Sequence, residues 1–123
     1  MKAKNMVSET DAVLFDGFVN DWKTRLNLAD WRIERGSKPA KAAMASVEFN
    51  PPARLVNYRL GDFGAEDITP HSLEKTAIHE LLHVFLYDLI QTASGKTTDE
   101  ELEAAEHKII NILEGLLIRV KHA

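Results

Sequence analysis

The residues whose types and spacing could do chemistry are residues 79–83, which read His-Glu-Leu-Leu-His. On an α-helix, side chains four positions apart lie on the same face, about one turn from each other. Two imidazoles at this spacing can bind one Zn²⁺ without distorting the backbone. Glu80 is rotated from His79 by about 100°, so its carboxylate can reach a water on the metal and act as a general base. The pattern predicts a catalytic metal site in which His79 and His83 are ligands and Glu80 is the base.

Apolar side chains surround this motif on both sides, and no proline or further charge interrupts residues 76–86. A helix of this composition is expected to be buried on most of its faces. Two histidines and a glutamate inside it need polar partners. A metal ion with its water would satisfy all three. The alternative is a core helix whose histidines only form hydrogen bonds with backbone or carboxylate groups.

A catalytic zinc site needs a third protein ligand and an open fourth position. The last helix of the chain offers Glu103, Glu106 and His107. An apolar stripe on that helix is expected to face the core, and it consists of Leu102, Ile109, Leu113, Leu116 and Val120. Glu106 lies about 40° from the stripe's centre, whereas Glu103 lies about 100° and His107 about 140° away. Glu106 is therefore the predicted third ligand, ahead of Glu103 and then His107.

The elements that must position these residues follow from the apolar pattern. We expect a first helix over residues 8–27 and short strands over 31–34, 44–49 and 54–60. Thr69-Pro70 opens a helix that runs to about Thr92, and Thr98 with Glu101 caps the last helix. Segregated elements indicate an α+β fold with a small, mostly antiparallel sheet of about three strands.

Length and composition restrict the function further. The 123 residues fit one domain, 1–123. Without cysteine there is no thiolate site, so metal ligands must be histidine or carboxylate. A formal charge of −4 argues against nucleic acid as a partner. The chain contains no apolar run of membrane-spanning length, and residues 1–11 lack a secretory signal, so we expect a cytoplasmic protein without membrane contact.

Residues 76–83, together with the glutamate-bearing helix that follows them, resemble the zincin metallopeptidases. The likeness is to the minimal gluzincin-like or SprT-like domains of prokaryotes and their phages. It implies a Zn²⁺ cofactor, a peptide or protein substrate, ligand roles for His79 and His83, and the base role for Glu80. It also implies that the substrate lies along an edge strand, for which residues 55–60 are the predicted candidate. The third-ligand patterns of both subfamilies are absent around residues 103–108.

The predicted function is a zinc-dependent metallopeptidase. The alternative is a non-proteolytic zinc-binding module with a zincin fold and a regulatory or interaction role. A chain this short predicts a shallow substrate groove, or one completed by a partner protein or a second copy. Tyr58, His71 and Tyr87 are the residues considered as donors to a developing oxyanion, and the sequence singles out none of them.

Overall fold

A computed structural model of the chain describes residues 4–123; residues 1–3 of the polar N-terminal segment lie outside the described part. Its elements are α1 (Glu9–Arg25), β1 (Arg32–Arg35), β2 (Ala45–Asn50), a 3₁₀ turn (Pro51–Ala53), β3 (Leu55–Leu60), α2 (Pro70–Phe85), α3 (Tyr87–Ala93) and α4 (Asp99–Lys121). The α+β class predicted from the sequence is confirmed. No helix among the described residues is long and apolar enough to cross a bilayer.

The three strands form one mixed sheet in the order β1-β3-β2. β1 runs parallel to β3, whereas β2 runs antiparallel to β3 and is joined to it by the short Pro51–Ala53 turn. One of the two pairings is therefore parallel, and the sheet is mixed where a mostly antiparallel one was predicted. The arrangement places β3 in the centre and leaves β2 at an edge.

Helix α2 starts where the sequence predicts and ends earlier than predicted. The Thr69 hydroxyl accepts from the backbone N–H of Ser72, and the Ser72 hydroxyl accepts from the N–H of Thr69, so the first turn is capped reciprocally. The helix stops at Phe85, and a separate short helix, α3, follows Leu86. The single helix predicted to run to about Thr92 is wrong in this respect. Neither proline nor glycine stands near Leu86 to signal the break.

Helix α2 is the central element of the core and packs against α1, α4 and β2. Its inward side chains belong to one apolar cluster with residues of the sheet and of both neighbouring helices. Fully buried members include Phe15, Val56, Leu73, Ile78, Leu81 and Ile110. A helix enclosed in this way has little freedom to rotate, so its polar side chains are held in fixed directions.

Helix α4 turns a different face to the core from the one predicted. Ile110 is fully buried and Ile118 is 5% exposed. Three members of the predicted core stripe instead lie at the surface: Ile109 is 43%, Leu116 46% and Val120 66% exposed. The prediction that this stripe faces the core is wrong for these three residues, whereas Leu113 does pack against the core. The reason is that α4 carries apolar residues on two faces and packs with only one.

Polar contacts at the C-terminal end of α4 help to select that face. Lys121 forms ion pairs with Glu74 of α2 and, at 3.0 Å, with Asp21 of α1. Glu74 is only 3% exposed, and burying its carboxylate without a cation would be costly. Turning Lys121 inward towards Glu74 also turns Ile118 inward, since residues three apart share a helix face.

Candidate metal centre

Helix α2 presents its two histidines and the intervening glutamate on the side that faces α4 and β2. The rings of His79 and His83 have centroids 5.2 Å apart, as expected for residues one turn apart on a helix. Both side chains are partly buried, and Glu80 is 8% exposed. The apolar neighbours of the motif form the core behind it, so these three polar side chains are directed into the space between the elements.

Helix α4 contributes a third imidazole to the same place. His79, His83 and His107 each offer one ring nitrogen, and the three nitrogens lie within 4.8 Å of one another. The ring centroid of His107 lies 5.2 Å from that of His83 and 6.0 Å from that of His79. The fold thus brings together one ring nitrogen from each of three imidazoles on two helices, and we call these rings the histidine cluster.

Each ring of the histidine cluster has its Nδ1 atom in a hydrogen bond with an oxygen. The acceptors are the carboxylate of Glu114 for His79, at 2.9 Å, and the carboxylate of Glu106 for His83, at 3.1 Å. For His107 the acceptor is the backbone carbonyl of Glu103, at 3.0 Å. Carboxylate and carbonyl oxygens only accept, so each ring carries a proton on Nδ1. In a neutral ring, Nε2 is then the atom with the free lone pair.

The two histidines of α2 differ in their electrostatic surroundings. The hydrogen bond to the Glu114 carboxylate raises the pKa of His79 against the opposing effect of burial. Burial lowers the pKa of His83, and the hydrogen bond to Glu106 offsets this effect only in part. Burial disfavours a charged imidazole, so His83 is the ring more readily kept neutral, which is the form that binds a metal.

Glu80 is a buried carboxyl group with a different environment from the glutamates that support the rings. Burial raises its pKa to about 7, although positive charge on His79 and His107 would lower it. Among the residues that the structure describes, none donates a hydrogen bond to its carboxylate. The side chain lines the two clefts that meet at His79. A carboxyl group that exchanges its proton near neutral pH and faces open space can serve as a general base or acid.

The three residues considered as third ligand are placed differently from the sequence-based ranking. His107 joins the cluster, although it was ranked third. Glu106 contacts Nδ1 of His83 and so supports a ring; its predicted role as a metal ligand stays a prediction. Glu103 reaches the site only through its backbone carbonyl, which accepts from His107. The geometry favours His107 as the third donor, because a glutamate already bonded to a ring nitrogen is held on the far side of that ring.

Sequence reasoning missed Glu114, the partner of His79, altogether. A helical wheel centred on Ile110 and Ile118 would have found it. On that wheel His107 and Glu114 lie between or beside the two isoleucines, within about 60° of their mean direction. The two isoleucines define the correct inner face of α4. The opposite face carries more apolar residues, so the apolar pattern of the sequence favoured that face instead.

Two clefts open on either side of the histidine cluster and share Ala43, Ala45, His79 and Glu80. The first, the Tyr87 cleft, has a volume of about 480 Å³ and is lined on its apolar side by Val47, Phe49, Tyr87 and Ile90. The second, the Lys75 cleft, has a volume of about 400 Å³ and is lined by more polar residues, among them Ser72, Lys75 and Asn111. Together they form a groove that passes the cluster.

The wall of this groove opposite α2 is the edge strand β2. Ala45, Ser46, Val47 and Phe49 of β2 line one or both clefts. The predicted edge strand, residues 55–60, is instead β3, and both of its edges are occupied by β1 and β2. The expectation that residues 55–60 form an edge strand is therefore wrong. A central strand has no free backbone groups to offer, whereas an edge strand does.

Of the three residues considered as oxyanion donors, the structure places only one beside the groove. The Tyr58 hydroxyl donates to the Asp16 carboxylate of α1 at 2.6 Å, and Tyr58 lines neither cleft. Burial, reinforced by that hydrogen bond, raises the pKa of Tyr58 far above its usual value. His71 is exposed and lines neither cleft. Tyr87 alone lines a cleft beside His83.

The donor set fits a transition metal that accepts imidazole ligands, zinc among them, better than it fits calcium or magnesium. Three imidazoles and no thiolate match catalytic zinc sites, which use three protein ligands and leave one position open. Calcium and magnesium take oxygen ligands, which this cluster does not present. Hydrogen bonds from the far ring nitrogens to carboxylate or carbonyl oxygens are the usual support of metal-bound histidines, and all three rings have one.

Comparison with known proteins adds no family to this description. No family model matches the chain, and no curated protein or solved structure matches it either.

Proposed function

We propose that this chain is a zinc-dependent peptidase whose metal is held by His79, His83 and His107. The observation that carries the proposal is the hydrogen bonding and close approach of the three imidazole rings. Each has Nδ1 bonded to an oxygen, and the three rings converge so that one nitrogen from each lies within 4.8 Å of the others. A core packed only for stability would gain nothing from holding one nitrogen of each of three imidazoles this close together.

Glu80 supplies the proton transfers that the reaction needs. A zinc ion bound at the cluster would act as a Lewis acid and make a water nucleophilic near neutral pH. Glu80 stands beside His79 and opens into both clefts, so it takes a proton from the attacking water and returns it to the leaving amine. Its freedom from hydrogen bonds within residues 4–123 leaves the carboxylate available for this exchange.

The edge strand β2 supports a peptide as the substrate. Among the described strands only β3 pairs with β2, so the backbone groups along its other edge can bind an extended chain by strand addition. The groove continues past His79 on both sides, which suits an internal stretch of peptide rather than a chain end. We therefore expect endopeptidase activity on extended or unfolded segments.

The Tyr87 cleft favours an apolar side chain next to the scissile bond. Phe49 and Tyr87 stack with their ring centroids 4.3 Å apart, and Trp31 packs edge-on against both. Val47 and Ile90 complete this apolar wall. An apolar or aromatic side chain bound there is removed from water, whereas a charged one would be desolvated without a partner.

The experiment is to load the protein with one equivalent of Zn²⁺ and to follow cleavage of a peptide mixture by mass spectrometry. We expect cuts beside apolar residues, and a loss of about 10²–10⁴-fold in rate for Glu80→Gln at unchanged zinc content. Glu103→Gln is the matched control, because only the backbone carbonyl of this glutamate contributes to the site. A protein that binds zinc fully and cleaves nothing would contradict the proposal and favour the non-proteolytic zinc-binding module.

A further inference from the structure

The outer face of α4 carries an apolar stripe that no described residue covers. It consists of Ile109, Ile112, Leu116 and Val120, which we call the α4 outer stripe. Their exposures are 43%, 62%, 46% and 66%. On a helical wheel the four side chains fall within about 80°. Scattered exposed apolar residues are common, but four in one line along the longest helix of a small protein indicate a surface that contacts a partner.

Charge along α4 indicates what kind of partner fits. The first turn carries three acidic residues, and the last turn carries the exposed Arg119, whereas Lys121 is turned inward to Glu74 and Asp21. A second α4 lying antiparallel to the first would set each acidic end beside a basic end. The two helix dipoles would also oppose each other favourably. A second copy of this chain, approached through the same face, therefore matches the surface in charge.

The apolar residues fit this antiparallel arrangement in register. With a two-fold axis between residues 110 and 111, Ile109 of each copy lies opposite Ile112 of the other. Ala105, which is exposed and small, then lies opposite Leu116 and leaves room for its side chain. Pairing a small residue with a large one is what allows two helices to interdigitate.

The same register brings Glu101 of one copy beside Arg119 of the other. Both side chains lie on one flank of the stripe, about 80° from Ile109. Both are exposed, and neither takes part in an ion pair within residues 4–123. Their present contacts are a hydrogen bond from Thr97 to Glu101 and one from Arg119 to the carbonyl of Gly115. Each copy would contribute one such pair, so the dimer would contain two.

We propose that the chain forms an antiparallel dimer through the α4 outer stripe. His107 lies on the opposite side of α4, about 160° from Ile109, so the dimer leaves the histidine cluster and its groove open. One helix pair buries less than the roughly 800 Å² per partner of a standard interface, so the dimer dissociates on dilution. The proposal does not depend on metal binding or on peptidase activity.

The test is sedimentation velocity of the full chain over a range of concentrations. We expect a concentration-dependent dimer whose dissociation constant rises at least about tenfold in Leu116→Lys. Val13→Lys is the matched control, since Val13 is 57% exposed on α1 and its replacement should leave the dimer unchanged. Circular dichroism checks that both variants are folded.

A charge reversal tests the register. Glu101→Arg and Arg119→Glu should each weaken the dimer, and the double variant should restore it. A wild-type chain that stays monomeric at several hundred micromolar overturns the proposal and leaves the stripe to a different partner. A dimer that Leu116→Lys does not weaken overturns it as well.

Discussion

Helices α2 and α4 meet at two polar clusters that differ in how completely their atoms are satisfied. At one cluster, Glu74 accepts from Trp22 Nε1 at 2.8 Å and contacts Lys121 and, at 2.7 Å, Nε2 of His122. At the other, the rings of the histidine cluster each have one bonded nitrogen, and Glu80 accepts no hydrogen bond within the described residues. The first cluster joins the helices through bonded polar atoms, whereas in the second one nitrogen of each ring has no hydrogen-bond partner among the described residues.

The two glutamates show what this difference means. Glu74 and Glu80 are 3% and 8% exposed on the same helix. Burial alone would raise both pKa values. At Glu74 the bonds from Lys121, His122 and Trp22 outweigh burial, and the pKa is lowered. At Glu80 burial dominates and raises the pKa to about 7. Burial alone therefore does not distinguish a carboxylate suited to proton transfer from one that stabilises the fold. The absence of hydrogen-bond donors to the carboxylate does.

The largest effect we expect is a loss of zinc affinity when one ring of the histidine cluster is removed. His107→Ala should lower zinc affinity by more than the 10–100-fold that loss of a supporting hydrogen bond costs. His71→Ala is the matched control, because His71 is exposed at the start of α2 and lies outside the cluster. Competition with a chromophoric chelator measures both variants. Equal zinc affinities for the two variants would show that His107 contributes no more to metal binding than a histidine outside the cluster, which would contradict the account.

The cluster around Glu74 should affect the free energy of unfolding rather than metal binding. Glu74→Gln leaves Lys121 without its buried partner, and we expect a loss of about 2–3 kcal/mol in the free energy of unfolding. Glu80→Gln is the direct comparison and should change stability by less than about 0.5 kcal/mol, since it breaks no hydrogen bond within residues 4–123. Urea unfolding in the absence of metal provides both numbers. A larger loss in Glu80→Gln than in Glu74→Gln would reverse the roles assigned to the two carboxylates.

The glutamates that support the rings should have an intermediate effect. Glu106→Gln and Glu114→Gln weaken the hydrogen bonds to Nδ1 of His83 and His79, and each should reduce zinc affinity about 10–100-fold. Glu103→Gln should leave affinity unchanged, because its side chain does not contact a ring. Isothermal titration with Zn²⁺ measures the series. If Glu106→Gln lost as much affinity as His107→Ala, Glu106 would be a ligand, as the sequence alone suggested.

The smallest effect is a pH dependence of stability that belongs to Glu74. Its pKa is lowered in the folded chain from the ordinary 4.5, so the unfolded chain binds the proton more tightly. The stabilisation is thus present above about 4.5 and is lost as the pH falls through the folded value. The difference in unfolding free energy between wild type and Glu74→Gln should shrink over that range. A difference that stays constant with pH would contradict this account.

Sequence alone predicted much of this arrangement. The start of the motif helix with its cap at Thr69, the three strands and the last helix all occur within a few residues of their expected bounds. These features depend on local spacing and capping, which a single sequence contains. The roles of His79, His83 and Glu80 stay predictions, and the structure shows that all three residues line the same cleft.

What could not be predicted depends on tertiary contacts. Helix α4 has apolar residues on two faces, and its tertiary contacts, such as the pairing of Lys121 with Glu74, select the face that turns inward. That choice moves His107 into the cluster and places Glu106 behind a ring. The central position of β3 likewise follows from the order in which strands pair, which their individual patterns do not contain.

The central claim is that one zinc ion binds to three imidazoles drawn from two helices. Anomalous diffraction at the zinc edge from crystals grown with one equivalent of Zn²⁺ tests it most directly. The account predicts a single peak about 2.0–2.1 Å from one nitrogen each of His79, His83 and His107, with Glu106 still bonded to His83. The absence of a peak there, or a Glu106 oxygen bound in place of His107, would contradict it.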